Sequence, residues 1–472
     1  MNQHKRQISS GALINLAGIA FGVFLNIWLL PKIGSTEELG LYRWFERTAI
    51  LLSNVLMLGL HRSYTKFHSD PNRDGKEFQS ALLVRSTWII LATALVLYWA
   101  TPFSAHWLQL DQYQSLLGWL GPMTAGGMAF LMAVSVAATT GKIALPLLYK
   151  NLGLRLGMIG LGLAMLWGNL SFQGWIIGYG WVYFLLGVGS LLYAWRRAQP
   201  QWRWDGLRLG IGPQVVHFAG YSVLGSFIEF GLSTLDVQML ALLTDLESVG
   251  VYGMAFFIGS VIDGIRRPIN QMLAPQISKH WNEGKIGALQ KIYRKTSDVQ
   301  IIFNAAFIIL VMVNVDWVFS LIPDGERFYP AIPVVGWVLL GKFINSAFGS
   351  NGEIIINSPF YQFNLYFSSA TLVLTIALNL YFIPAYGIVG VAYTSALALV
   401  VVNVARAILL YRKANMVPFS VETVYILGIS GALWLLCDFL PVDGMLRLMI
   451  STAIVGATVF ASRKFIQRLI IA

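Results

Sequence analysis

Residues 81–101 read ALLVRSTWIILATALVLYWAT, a stretch with one charged side chain, Arg85. About 20 apolar residues in a helix cross the ~30 Å hydrocarbon core of a bilayer, so this stretch reads as a membrane span. Thirteen more such stretches recur along the chain, giving spans at about 11–30, 44–64, 81–101, 116–139, 146–168, 174–195, 215–242, 250–273, 299–321, 331–350, 361–382, 388–411, 421–440 and 445–462. The expected fold class is an all-α polytopic membrane protein with about 14 transmembrane helices.

Composition agrees. Of 472 residues 56% are hydrophobic and 12% charged, whereas a soluble domain carries about 25% charged residues. Fourteen spans use nearly all of the chain, which excludes a large catalytic domain. An enzyme of the polysaccharide polymerase or ligase kind needs a sizeable outside loop. The longest expected one, about 102–115, offers only His106 and Asp111. The single Cys437 excludes an internal disulfide and a Cys-rich metal site, and the six His show no metal spacing. Gly336 to Lys342 spells G-x-x-x-x-G-K, but Phe343 stands where a nucleotide loop needs Ser or Thr, and the segment is a span. No cofactor and no metal are expected.

The net charge of +11 is an orientation signal. With both termini inside, the inner segments hold 21 Lys and Arg, among them Lys5, Arg6, Arg73, Lys142, Arg203 and Arg463. The outer ones hold four: Lys32, Arg43, Arg327 and Arg447. That is the positive-inside asymmetry, and it removes the need for a nucleic-acid partner. The loop Arg196 to Gly210, with four Arg beside Trp202 and Trp204, suits a segment lying on anionic membrane lipids. The first span lacks a small-residue cleavage site and is expected to stay uncleaved.

Internal repetition follows. Glu37-Glu38-Leu39-Gly40-Leu41-Tyr42 and Glu247-Ser248-Val249-Gly250-Val251-Tyr252 both read E-x-[LV]-G-[LV]-Y, 210 residues and six spans apart. An even number of spans gives the halves the same topology, hence two pseudo-symmetric six-helix bundles around a central cavity. The expected division is an N-terminal bundle 1–199, an interfacial linker 200–214, a C-terminal bundle 215–414, and a two-helix hairpin with tail 415–472.

Eight bases fall inside spans: Arg47, Arg62, Arg85, Arg155, Arg266, Arg267, Lys342 and Arg406. Each costs at least about 2.5–3.5 kcal/mol at the bilayer centre. Arg62, Arg85, Arg155 and Arg406 lie near inner ends and can snorkel. Arg43, Arg47, Asn54 and His61 fall on one face of the second span, with Glu46 placed to pair with Arg43. Either an interhelical hydrogen-bond seam or a cavity lining fits that stripe.

The first span carries Asn15, Gly18, Gly22 and Asn26 on one face, where the glycines suit close helix packing. The seventh carries Ser222, Ser226, Glu229, Ser233 and Asp236. Under the 210-residue offset Asn26 matches Asp236. Glu229 and Asp236 are expected to face the cavity and, with Asp263, are the candidates for ion coupling. Asp263 also precedes Arg266 and Arg267 by three and four residues, the spacing of an intrahelical pair. Lys342, with Asn345, Gly349 and Glu353 on its side, lies midway through the tenth span. It needs an acidic partner, a watery cavity or an anionic ligand. Arg47, Asn54, Arg266, Arg267, Lys342 and Asn345 are the candidate substrate-binding residues.

Ile33 to Tyr42, Leu58-Gly59-Leu60, and Ile383 to Ala392 (IPAYGIVGVA) together resemble the polysaccharide transporters, or Wzx-type O-antigen flippases, of the multidrug/oligosaccharidyl-lipid/polysaccharide exporter superfamily. The resemblance spans about residues 8–412. It implies alternating access in the bacterial cytoplasmic (inner) membrane, moving a polyprenyl-diphosphate-linked oligosaccharide of O-antigen, lipopolysaccharide, capsule or exopolysaccharide biosynthesis from the inner to the outer leaflet. A coupling proton or sodium ion and the glycan polymerase machinery are the other partners it implies. An ion-coupled multidrug or small-molecule exporter of the same superfamily is the alternative, against which fourteen spans and Lys342 weigh.

Overall fold

The computed structural model describes residues 18, 20–68, 75–108, 110–140, 144–200 and 212–461. The basic segments expected at the amino terminus, in the linker and in the tail, together with Asn15, Arg73 and Lys142, lie outside the described residues. The described chain is predominantly helical, with no strand among the described residues. Two compact units, Met1–Gly250 and Val251–Ala472, divide it.

In the first unit the helices are α1 (Ala20–Ile33), α2 (Thr36–Leu56), α3 (Leu60–Lys66), α4 (Gly75–Ala100), α5 (Leu120–Thr139), α6 (Leu154–Leu166), α7 (Phe172–Ala198) and α8 (Pro213–Leu243). α9 (Leu246–Asn282) starts in the first unit and runs on into the second. There follow α10 (Ile286–Val313), α11 (Ile332–Ala347), α12 (Asn351–Ile356), α13 (Gln362–Ala414), α14 (Val421–Asp438) and α15 (Gly444–Ala461).

Over most of its described length each expected span coincides with helix, and nine of the helices among the described residues are individually long and apolar enough to cross a membrane. α2 falls short of that measure because Glu37, Glu38, Arg43, Glu46 and Arg47 lower its hydropathy. α13 holds the eleventh and twelfth spans in one run of 53 residues. The expected connection at 383–387 is not a loop: the helix is broken at Gly387 alone (φ 57°, ψ −132°), backbone angles that only glycine adopts without strain. The second span is broken too. Leu58 (φ 51°) and Gly59 (φ 68°) turn the chain between α2 and α3. α9 and α10 extend past the expected edges of the eighth and ninth spans, so Lys291, Arg294 and Lys295 are helical.

The start of α2 is written locally. The Ser35 hydroxyl accepts from the Glu38 amide (3.2 Å) and the Glu38 carboxylate accepts from the Ser35 amide (2.8 Å), a closed capping box. Farther along, Met128, Ala129, Met132, Ala133 and Val136 on α5 form the core of the first unit with Met57, Leu82 and Leu83. Lipid tails are as apolar as leucine, so helices in a membrane associate by packing and not by a hydrophobic drive. α5 and α7 accordingly meet tightly at glycines: a Cβ on Gly187 would sit 2.6 Å from the Gly126 Cα. The G-x-x-x-G pair Gly174/Gly178 faces leucine side chains instead, Leu170 and Leu161.

The two copies of the repeated motif touch each other inside the first unit. A Cβ on Gly40 would fall on the Leu246 carbonyl oxygen, and one on Gly250 would fall on the Thr36 carbonyl oxygen. Thr36 and Leu246, like Gly40 and Gly250, are 210 residues apart, so the contact is reciprocal in the manner of a two-fold axis. Thr36 Oγ1 donates to Glu247 Oε1 (3.1 Å) at its edge.

Candidate functional site

In the second unit, Lys342 of α11 reaches Asp263 of α9: Nζ donates to Oδ2 at 2.5 Å. The other carboxylate oxygen, Oδ1, stands 3.7 Å from Arg266 Nε. All three side chains are largely enclosed, with 18%, 14% and 26% of their surfaces exposed respectively. The Phe256 ring lies 5.5 Å from the ammonium, centroid to Nζ, within cation–π range. Lys342 therefore has the acidic partner its position demands. Arg267, the other expected intrahelical partner of Asp263, is exposed and forms no ion pair at this distance among the described residues.

The charges continue with alternating sign. Arg266 interacts electrostatically with Glu353 of α12, and Glu353 with Arg406 of α13. Arg406 Nη2 donates to Asn364 Oδ1 at 3.2 Å. Glu353 does not reach this cluster along the face of α11. Gly349 is left-handed (φ 58°), ends that helix and starts a new one. Arg406, expected to snorkel at an inner end, takes part in this chain of charges.

Asn345 is held in a hydrogen-bond chain beside the cluster. Its Oδ1 accepts from Asn403 Nδ2 (3.0 Å), and Asn403 Oδ1 accepts from Asn351 Nδ2 (2.8 Å). This buried three-asparagine chain ties α11, α12 and α13 together. Asn270 accepts from Ser350 Oγ (2.8 Å) beside it.

The stripe on the second span divides in the first unit. Arg43 is buried and its Nη2 donates to Asn26 Oδ1 (3.2 Å). Glu46 interacts with Arg43, with Arg155 and with the Tyr42 hydroxyl. Arg47 is half-buried and lies in the field of Tyr42 and Tyr179. Asn54 is buried and donates to its own helix at Ile50 O (2.8 Å). His61 leaves the stripe, because the turn at Leu58 and Gly59 places it on α3.

The glycine face of the first span receives Arg155 together with the backbone beside it: an added Cβ would lie 2.7 Å from Arg155 Nη1 and 3.2 Å from the Asn151 carbonyl oxygen at Gly18, and 3.2 Å from Arg155 Cζ at Gly22. Each of the two helices carries a π-helical turn beside this contact, Phe24–Leu29 and Tyr149–Gly153, a distortion frequent at functional positions. Sequence reasoning passed over Arg155, although the glycines opposite it were the signal.

Of the seventh-span acids, Asp236 is buried, while Glu229 is exposed and its Oε2 accepts from Arg62 Nη2 (3.2 Å). Among the described residues no three His, Cys, Asp or Glu side chains gather as a metal site.

No sequence-family model and no curated protein matches the chain. Solved structures do. The lipid II flippase MurJ in an inward closed conformation is 14% identical, covers 98% of this chain and 99% of its own, and superposes with a TM-score of 0.78. A multidrug resistance MATE family transporter of the MOP superfamily, in an inward-facing conformation, is 12% identical over 89% of this chain and 98% of its own (TM-score 0.60). A MOP superfamily transporter from Pyrococcus furiosus, described as having a binding pocket of reverse polarity, is 13% identical over 91% and 96% (TM-score 0.56). At such identities the likeness establishes the fold. The chain is a multi-pass membrane protein whose helical fold is similar to those of this flippase and these transporters.

Proposed function

We propose that the protein is a flippase that moves a polyprenyl-diphosphate-linked oligosaccharide from the inner to the outer leaflet of the bacterial cytoplasmic membrane, with both termini cytoplasmic and two six-helix bundles, 1–199 and 215–414, alternating in access. The observation that carries this reading is the enclosed cluster of Lys342, Asp263 and Arg266 in a membrane-spanning unit. Ionisable groups inside a membrane are costly and commonly mark a transport or binding path, and in this chain of charges the bases outnumber the acids, which suits an anionic head group. The prenyl tail stays in the bilayer while the head crosses, so no large soluble domain is required. MurJ, described as a lipid II flippase, supports the same class. The specific glycan, of O-antigen, capsule or exopolysaccharide type, follows from the Wzx-type resemblance of the motifs around Gly40 and Gly390.

The second reading, an ion-coupled exporter, is favoured by the likeness to MATE transporters and by Asp236 and Glu229 on α8. The two separate in a deletion strain: a flippase loss removes surface glycan, an exporter loss sensitises cells to drugs. Complementation with Lys342→Ala and with Arg47→Ala should restore protein in the membrane but not surface polysaccharide. Full glycan production by both variants would remove these residues from the site.

A further inference from the structure

Resting on the reading of the site as a receiver of an anionic head group, we propose that Asp263 is a resident counter-ion that the substrate displaces. In the empty carrier its carboxylate neutralises Lys342. When a diphosphate arrives it takes Lys342, and Asp263 falls back on Arg266.

The geometry carries each part. The carboxylate divides its two oxygens between two cations, Oδ2 on Lys342 at 2.5 Å and Oδ1 beside Arg266 Nε at 3.7 Å. The second contact is too long for a hydrogen bond, so Arg266 is a partner in reserve. An acid with one cation only would be stranded in an enclosed site when that cation was taken, at the cost that accompanies an unpaired buried charge. Asp263 would not be stranded.

The groups around it are consistent. Arg267, one residue beyond Arg266, adds to the positive field on Asp263. Phe256 faces Lys342 from α9, one face of its ring toward the ammonium. Glu353 and Arg406 continue the alternation beyond Arg266. Across this chain the acids Asp263 and Glu353 stand against the bases Arg266, Lys342 and Arg406, an excess of one positive charge that an anionic head group would offset. The reason for such a device is physical. A carrier that delivers an anion must return empty, and a bare ammonium in a lipid-enclosed site is unfavourable or recruits whatever inorganic anion is at hand. An internal carboxylate supplies the missing charge on the return and yields to the stronger, doubly charged competitor on the way out. Asp263 thus weakens binding of every anion, and only an anion that engages Lys342 strongly enough displaces it.

The test uses the full-length protein in lipid nanodiscs with farnesyl diphosphate as the probe. Asp263→Asn should bind it about tenfold more tightly than the wild type, the effect of removing a competitor worth about 1.4 kcal/mol. Lys342→Gln should bind it at least about tenfold more weakly. In the Lys342→Gln background, Asp263→Asn should then gain clearly less than about tenfold, because the contact being competed for is gone, and an undiminished gain would mean plain charge repulsion and overturn the proposal. Unchanged or weakened binding by Asp263→Asn would overturn the proposal.

Should Asp263→Asn fail to fold, difference infrared spectroscopy reads the same event in the wild type. Adding diphosphate should shift a carboxylate band that is missing from the neutral pair Asp263→Asn/Lys342→Gln, and an unshifted band would overturn the proposal equally. Absence of any diphosphate binding by the wild type has a different meaning, since it would sink the functional reading beneath it.

Discussion

Replacing Gly40 with alanine should part the two copies of the repeated motif. An ideal Cβ on Gly40 coincides with the Leu246 carbonyl oxygen and stands 3.0 Å from the Gly250 nitrogen; one on Gly250 coincides with the Thr36 carbonyl oxygen and stands 3.1 Å from the Gly40 nitrogen. Carbon needs about 3.5 Å from its non-bonded neighbours, so the helix starts at Thr36 and Leu246 must separate by more than about 1 Å. Both partners are backbone, and no rotamer change relieves the clash. Overpacking of this kind costs about 1–3 kcal/mol, with the upper end expected here. Against it stands a gain of up to about 1 kcal/mol from alanine's helix propensity. The net loss is therefore about 1–2 kcal/mol.

Reciprocity makes the prediction sharper. Gly250→Ala should cost as much as Gly40→Ala, and the double variant should cost less than the sum, because helices already parted by one methyl make room for the other. Gly160 is the control: it lies within α6 with nothing within 4 Å of its Cβ position, so Gly160→Ala should be neutral or stabilising by up to about 1 kcal/mol. Thermal unfolding of the detergent-solubilised variants measures all four. If Gly40→Ala proves as mild as Gly160→Ala, or the two motif variants add fully, the reciprocal contact is not the tight one described.

Two further outcomes follow from contacts outside the charge cluster. Asp298 of α10 is buried and its Oδ1 accepts from Thr423 Oγ1 at 2.5 Å, beside the Ser420 cap of α14; Asp298→Ala should cost about 1–3 kcal/mol and raise hydrogen exchange at the start of α14 selectively, whereas exchange rising evenly over the second unit would contradict a local clamp. Tyr113, in the segment between the third and fourth spans, is pushed up to about 12 by burial and by the hydrogen bond its hydroxyl donates to Glu37 Oε1 (3.0 Å). Its contribution to stability is thus present below about pH 10, the unfolded value, and lost as pH rises through about 12. An ultraviolet titration compared with Tyr113→Phe should show one fewer tyrosine ionising near pH 12, and a missing ionisation near pH 10 would refute the assignment.

The spans were legible because hydropathy acts over about 20 residues and needs no partner. The need for a partner at Lys342 was legible for the same reason: its position in lipid demands one whatever the neighbours are. The partner itself was not. Asp263 read equally well as the mate of Arg266 and Arg267 on its own helix, and only the packing of α9 against α11 decides that Lys342 holds its nearer oxygen. Asn345 shared a face with Lys342 but is held in the asparagine chain, since helical spacing says which side a residue is on and not what stands opposite. Gly18 and Gly22 were read as a close-packing face, and what lies against them is the guanidinium of Arg155 together with the Asn151 backbone.

What the amino-acid sequence by itself determined is the class of solvent, the approximate placement of the spans, and the 210-residue repeat with its glycine. Each depends on the transfer of local segments into lipid or on identity between two segments. The tertiary structure alone decided where the helices break, at Gly59, Gly349 and Gly387, and which charges meet. Both are set by residues distant in the chain. A positive φ becomes necessary only when packing fixes the direction of the next helix, and an ion pair between helices exists only where their crossing brings the side chains within a few ångströms.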